Sequence, residues 1–148
     1  MSRENVELVR AVHPTGVDLV EFFGADEAAV KAFVEYGPAD SFAEDFEVRF
    51  ISGSPDFELA YRGVDGFVEG WRDWLEPWAS YHAEIVDVVD AGDKVLTMVH
   101  VNGKTARDGV TMEHSPASVW TVRDNKIVQV LFFLDRERAF EAAGLSEQ

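Results

Sequence analysis

The chain has 148 residues and a formal net charge of −15 at pH 7, since 28 aspartates and glutamates outnumber 13 lysines and arginines. This length fits one domain spanning residues 1–148, and so acidic a surface argues against nucleic acid and membranes as partners, because it repels phosphate groups. The sequence has no cysteine, which excludes disulfides and thiolate metal ligands, and no apolar run approaches the ~18 residues of a membrane span, so we expect a cytoplasmic protein.

The N-terminal region carries helical patterns. Ser2 stands before an acidic turn and an apolar face, which predicts a capped helix that ends before Pro14. Residues 17–23 predict a second short helix ending at Gly24, and Asp26 is placed to cap a third. The chain is therefore expected to begin with helices and to reach its first strand later.

A short β-region and one aromatic helix follow. Alternation over residues 46–51 predicts a first strand, and residues 57–62 predict a second, short one after a turn at residues 52–56. Gly63 then leads into a helix on which aromatic residues recur at i, i+4, i+7 and i+11, with Pro77 near its expected end. The recurring residues are Phe67, Trp71, Trp74 and Trp78.

A meander of longer strands occupies the second half of the chain. Residues 81–90 and residues 94–102 have strand-like patterns joined by a tight turn, and residues 103–109 are interpreted as a polar loop. Residues 114–135 then predict a hairpin that turns at residues 123–126.

Both faces of this hairpin are apolar, and the alternation of side chains separates them. A strand that is apolar on both sides needs two covers, which predicts helices over one face and a second subunit over the other. After the hairpin, Asp135 is placed to cap a final helix that ends at Gly144. The face toward the helices carries His114, Ser118, Trp120, Val128, Val130, Phe132 and Leu134, and the face toward the subunit carries Val119, Leu131 and Phe133.

Several short stretches of the sequence are similar to one known group of proteins. They are ENVELVR at residues 4–10, RGVDGF at 62–67, DAGDKV at 90–95, VWTVRD at 119–124, and LDR at 134–136 leading to AAGL at 142–145. By these residues the chain resembles the SnoaL-like branch of the nuclear-transport-factor-2-like superfamily. The resemblance implies an α+β, cone-shaped fold: a strongly bent antiparallel sheet packs on N-terminal helices, with a short C-terminal helix. It also implies an apolar pocket inside the cone and a homodimer through the outer sheet face.

The superfamily contains polyketide cyclases, ketosteroid isomerases and dehydratases besides members that only bind, so the function depends on the residues of the pocket. Counted along the matching segments, Phe50 stands at the position of the isomerase aspartate, Ser118 at that of the acidic donor and Trp71 at that of a supporting tyrosine. The interrupted first helix supplies no tyrosine at the family's position. Isomerase chemistry of that type is therefore not expected.

Among the remaining residues, His114 is the candidate for acid or base catalysis. It shares the pocket face with Ser118, and imidazole titrates near neutral pH; the alternative is a half-solvated histidine bonded to the backbone. No cofactor is expected, and the histidines are too scattered along the sequence for a metal-ligand spacing.

The aromatic residues predict either a pocket wall or a filled core. In the first case the protein binds a small hydrophobic molecule, which is the function we expect. The alternative is a cofactor-free proton-transfer enzyme of the polyketide cyclase, isomerase or dehydratase type, with His114 as acid or base and Ser118 and Trp71 as donors. The expected ligand-binding residues are Phe50, Trp71, Trp74, Trp120, Val130, Phe132 and Leu134.

Overall fold

The computed structural model describes residues 2–11, 18–24, 28, 42–51 and 58–144. Two predictions fall outside these ranges: the turn at residues 52–56 and, except for residue 28, the helix capped by Asp26. Within them, no helix is both long enough and apolar enough to cross a membrane. The elements in chain order are α1 (Ser2–Ala11), α2 (Leu19–Gly24), β1 (Phe42–Ile51), β2 (Glu58–Arg62), α3 (Gly63–Leu75), β3 (Trp78–Ala91), β4 (Lys94–Thr105), β5 (Thr111–His114), β6 (Ala117–Arg123), β7 (Lys126–Phe133) and α4 (Arg136–Ala142).

The strands form one seven-stranded sheet in the order β2-β1-β7-β6-β4-β3, with β5 paired to β4. Neighbouring strands are antiparallel except β1 and β7, which are parallel. The α+β class predicted from the sequence is confirmed, although the sheet is mixed and not wholly antiparallel. No tight turn joins β1 to β7, so the connection does not force these two strands into opposite directions.

The first strand of the predicted hairpin is divided in two. β5 ends at His114 and pairs with β4, whereas β6 begins after Pro116 and pairs with both β4 and β7. Proline cannot donate a ladder hydrogen bond, and the Pro116 carbonyl instead accepts from the Val99 N–H at 3.0 Å. The predicted turn is confirmed, since Asp124 and Asn125 have φ of 51° and 63°, as a two-residue type I′ turn requires.

The aromatic helix is shorter than predicted, and the strands after it are longer. α3 ends at Leu75 and Trp78 begins β3, so the prediction that Trp78 continues the helical stripe is wrong; Pro77 has no N–H with which to continue the helix. The predicted loop at residues 103–109 is wrong at its start, because β4 continues to Thr105. There Gly103 leaves room for the Trp78 ring, which would lie 2.6 Å from a Cβ at this position.

A β-bulge changes which residues of the hairpin face inward. The register between β6 and β7 shifts between Thr121 and Val122, and Ile127 packs with Trp120 in the inner hydrophobic cluster. One extra residue reverses the alternation beyond it, so Ile127 takes an inward position that simple alternation with Val128 did not predict.

Helices cover both faces of the sheet. On the inner face α1 packs Val9 against the strands, and α2 and α3 cover the region beside it. On the outer face α4 packs Ala139 and Ala143 against Val119 and Phe133. Part of the face that was expected to meet a partner subunit is therefore occupied by the chain's own last helix.

Both ends of α4 agree with the prediction from the sequence. Asp135 Oδ1 accepts a hydrogen bond from the Glu137 N–H at 3.0 Å, which caps the first turn. Gly144 follows the last turn with a φ of 76°, a left-handed conformation that glycine adopts without steric cost.

Candidate functional site

Aromatic side chains from β1, α3, β6 and β7 meet on the inner face of the sheet, and we call this group the aromatic wall. The Phe50 ring is stacked on Phe132 at 5.0 Å and on Trp74 at 5.6 Å. It meets Trp71 edge to face at 5.4 Å, and Trp120 meets Phe132 in the same way at 5.9 Å. Stacked and edge-to-face contacts at these distances stabilise aromatic groups beyond the effect of burial. The structure thus brings five of the expected ligand-binding residues together.

The members of the aromatic wall differ in their exposure. Phe50 and Trp120 are 1% and 3% exposed, so they belong to the hydrophobic core. Trp71, Trp74 and Phe132 are only partly buried. The wall therefore has a buried base and a layer of aromatic side chains that keep part of their surface exposed.

The two other expected ligand-binding residues lie differently. Val130 is fully buried and packs in the core. Leu134 is 41% exposed, since it lies beyond the last residue of β7. Its backbone N–H donates to the Ile51 carbonyl at 3.3 Å, which ties the strand end to β1.

A close approach of α3 to β1 holds Trp71 in the wall. Gly70 faces the strand, where a Cβ would lie 2.7 Å from the Phe50 ring. The Trp71 ring stacks on Phe23 of α2 at 5.5 Å and 10°. Arg72 Nε donates to the Phe23 carbonyl at 2.7 Å. The end of α2 is thereby attached to α3, with Trp71 packed between α2 and the sheet.

A buried tyrosine connects the aromatic wall to His114. Trp74 Nε1 donates to the Tyr81 hydroxyl at 3.3 Å, and the same hydroxyl lies 3.3 Å from His114 Nε2. Tyr81 is 3% exposed, and its backbone N–H donates to Asp18 Oδ1 at 3.0 Å. The Trp78 ring packs 5.2 Å from Tyr81 and 6.0 Å from His114. We refer to Tyr81 and His114 as the tyrosine–histidine pair.

Burial favours the neutral form of both members of this pair. Burial raises the pKa of the Tyr81 phenol above its usual value of 10.0. Burial also lowers the pKa of His114 below its usual value of 6.5, and the charge of nearby His100 adds to the effect. A neutral imidazole keeps one nitrogen lone pair, so His114 is able to accept a proton or a hydrogen bond.

Ser118 belongs to a separate hydrogen-bonded group. Its Oγ accepts from Trp120 Nε1 at 2.9 Å and is hydrogen-bonded to the Thr97 hydroxyl. Both hydroxyl residues are buried. The structure therefore brings His114 together with Tyr81, and Ser118 together with Thr97.

Sequence reasoning missed Tyr81, Asp18 and Thr97. A signal for Tyr81 was present, because it starts an alternation in which His82 and Glu84 take the polar positions. Asp18 and Thr97 carry no comparable signal. Their positions depend on pairing with β3 and with β6, which local sequence does not specify.

Other ionisable groups form pairs of their own. His100 Nε2 lies 3.8 Å from Glu113 Oε1, and Arg49 Nε lies 2.9 Å from Glu47 Oε1. Among the residues that the structure describes, no three or more histidine, aspartate or glutamate side chains are grouped so as to hold a metal ion.

The chain is similar to known proteins in sequence and in fold. Residues 17–130 match the family model described as the SnoaL-like domain. No curated protein matches the sequence.

Three solved structures illustrate the similarity in fold. TerC, co-crystallised with polyporic acid, is 17% identical with a TM-score of 0.64, and the match covers 95% of this chain and 98% of that one. A candidate SnoaL-like polyketide cyclase from Jannaschia sp. CCS1 is 17% identical with a TM-score of 0.62, over 88% and 85% of the two chains. An NTF2-like protein from Burkholderia xenovorans LB400 is 20% identical with a TM-score of 0.60, over 97% of both. The TM-scores show that the chain has the NTF2-like fold, whereas sequence identities this low leave the chemistry open.

Proposed function

The chain belongs to the SnoaL-like domain family, and from that premise we propose that it binds a small, planar, hydrophobic molecule on the aromatic wall. One observation supports the proposal above the others: Trp71, Trp74 and Phe132 stay partly exposed although they surround the buried Phe50. Small-molecule sites are typically lined by apolar and aromatic side chains with a few polar groups. Flat indole and phenyl faces favour a flat ligand, which stacks on them.

The relatives suggest which molecules to test first. TerC was co-crystallised with polyporic acid, and the Jannaschia protein is a candidate polyketide cyclase. These two relatives support polyporic acid and polyketides as the first ligands to test. We therefore choose polyporic acid as one probe and 2-naphthol as a second, smaller one.

Two adjacent phenylalanines of β7 provide a matched test of binding. Phe132 packs in the aromatic wall, whereas Phe133 packs on the outer face under α4. We expect Phe132→Leu to weaken the binding of both probes about three- to tenfold, because one aromatic contact contributes about 0.5–1.5 kcal/mol. Calorimetric titration measures the two dissociation constants.

Phe133→Leu is the control for this experiment. It removes the same ring from the other face of the same strand, so the dissociation constants should stay within about twofold of the wild type. Equal losses in the two variants, or no binding of either probe to the wild type, would contradict the proposed site.

A second function, proton transfer without a cofactor, is favoured by the contact of His114 with Tyr81. A neutral imidazole is able to remove a proton from a carbon next to a carbonyl group, leaving an enolate, and then return the proton to that carbon. The lowered pKa of His114 keeps it in the required form at neutral pH. His114 thus remains the proposed acid or base, while Ser118, whose oxygen is engaged by Trp120 and Thr97, is a weaker candidate donor.

Exchange of the α-protons of 2-tetralone with D2O, followed by NMR, tests this second function. We expect the wild type to accelerate exchange above the buffer rate and His114→Gln to lower the acceleration at least about tenfold, since general bases contribute about 10²–10⁴-fold. The exposed His82 supplies the control variant His82→Gln, which should exchange at the wild-type rate. Undiminished exchange in His114→Gln would show that His114 is not the base.

Two broader expectations from the sequence stay predictions. One is a homodimer through the part of the outer sheet face that α4 leaves open, which the mass of the purified protein by light scattering tests. The other is a cytoplasmic location, which fractionation of the producing cells tests.

A further inference from the structure

The Tyr81 hydroxyl has more hydrogen-bond capacity than its partners among the described residues use. A phenol has one proton to donate and lone pairs that accept two hydrogen bonds. Trp74 Nε1 is a donor only, so its 3.3 Å contact occupies one lone pair of the Tyr81 oxygen. The 3.3 Å contact with His114 Nε2 occupies either the proton or the second lone pair. One hydrogen-bonding position of Tyr81 is left over in both cases.

The tautomer of His114 decides which position is left over. If Nε2 carries the proton, Trp74 and His114 both donate to Tyr81, and the phenol proton is available to an acceptor such as a carbonyl oxygen. If Nδ1 carries the proton, Tyr81 donates to Nε2, and a lone pair is available to a donor such as a hydroxyl group. A proton move within the neutral imidazole therefore converts the pair between a donating and an accepting state.

The pair lies beside the aromatic wall. The rings of Tyr81 and Trp71 are 6.4 Å apart, and Trp74 belongs to the wall while it donates to Tyr81. Tyr81 is buried and His114 is partly exposed. A planar molecule that lies on the aromatic wall beside Trp74 is thus able to place one substituent near the Tyr81 hydroxyl.

We propose that the tyrosine–histidine pair selects planar ligands that carry a ketone, enol or phenol oxygen over hydrocarbons of the same shape. This inference rests on the proposed function, because it assumes that the ligand lies on the aromatic wall. The inference adds a chemical class to the proposed ligand, namely molecules that interconvert between keto and enol forms. The carbonyl oxygen of the keto form matches the donating state of the pair, and the hydroxyl group of the enol form matches the accepting state.

A pair of ligands of equal shape tests the selection. 2-Naphthol and 2-methylnaphthalene differ by a hydroxyl in place of a methyl group on the same rings. We define the preference as the ratio of their affinities divided by the ratio of their partition coefficients into octanol, which removes the difference in hydrophobicity. We expect the wild type to prefer 2-naphthol about three- to tenfold, the usual range for one net hydrogen bond.

The variant Tyr81→Phe removes only the hydroxyl group. It should abolish the preference, which is a ratio of two affinities of the same variant and so cancels any change in the aromatic wall that affects both ligands alike. Tyr61→Phe is the matched control, because the Tyr61 hydroxyl donates to Asp73 Oδ2 at 2.9 Å in an exposed position. The preference should persist in that variant.

Each other outcome has a definite meaning. If the wild type binds both ligands without a preference, or if the preference survives Tyr81→Phe, the selection by this pair is overturned while binding on the aromatic wall stands. If the wild type binds neither ligand, the proposed function fails and this inference fails with it. The wild-type comparison uses no variant, so it decides the question even if Tyr81→Phe does not fold.

Discussion

At the scale of single residues, Glu47 joins three strands of the sheet. Its carboxylate accepts from Arg49 Nε at 2.9 Å, from Gln129 Nε2 at 2.8 Å and from Arg62 at 3.4 Å. These partners, led by Arg49 and followed by Gln129, hold the pKa of Glu47 below its usual value of 4.5. The side chain is 16% exposed, so solvent screens the pairs less than it screens surface ion pairs.

The lowered pKa of Glu47 predicts a pH-dependent contribution to stability. A carboxyl group whose pKa is lower in the folded than in the unfolded chain stabilises the fold above its unfolded pKa, near 4.5, and loses this effect as the pH falls through the folded pKa. We expect Glu47→Gln to lower the free energy of unfolding at pH 7 by about 1 kcal/mol. The difference from the wild type should shrink at pH 3. Urea unfolding at both pH values measures it.

Glu7→Gln is the control for this prediction. Glu7 lies 3.9 Å from Arg3, and both side chains are largely exposed. Such surface pairs contribute little, so this substitution should change stability by less than about 0.5 kcal/mol at either pH. A Glu47→Gln effect that stays constant from pH 7 to pH 3 would exclude titration of Glu47 as its cause.

At the scale of elements, α4 depends on the cap that Asp135 provides. The helix is short, and its fully buried residue Ala139 packs on the outer face of the sheet. Asp135→Ala removes the acceptor for the Glu137 N–H, and we expect a loss of about 1 kcal/mol in the free energy of unfolding. Denaturant unfolding measures this loss.

Asp135→Asn separates capping from charge. Asparagine caps helices about as well as aspartate, so this variant should retain most of the wild-type stability. If asparagine and alanine destabilise the protein equally, the charge of Asp135, and not its hydrogen bond to the helix end, is the important property.

At the scale of the whole molecule, the strands and turns that depend on local sequence were predictable. The alternation before Asp124 and the turn it forms with Asn125 are properties of neighbouring residues, and the structure confirms that turn. The parallel pairing of Phe50 with Phe132 brings together distant segments, and no periodicity within either segment specifies it. A bulge accounts for the inward position of Ile127, because an extra residue reverses the assignment of faces.

The candidate site was predictable in part for the same reason. Trp71 and Trp74 were expected together because they share one helix, and the structure places both in the aromatic wall. His114 was grouped with Ser118 by counting along one strand, but Pro116 separates them onto two strands. The partner of His114 is Tyr81 of β3, which the register of β3 on β4 and of β4 on β5 brings near.

The parallel ladder between β1 and β7 has a consequence for the order of folding. Glu47 and Gln129, which pair in it, are 82 residues apart in sequence, whereas tight turns connect β3 to β4 and β6 to β7. Closing a long loop costs more entropy than closing a short one, so we expect the hairpins to form first and β1 to dock afterwards. Pulsed hydrogen exchange during refolding should protect the amides of β4 and β7 before those of β1, and simultaneous protection would contradict this order.

Because Phe50 lies on β1, the aromatic wall is then completed only in the last step, and partly folded chains are expected to lack the binding surface.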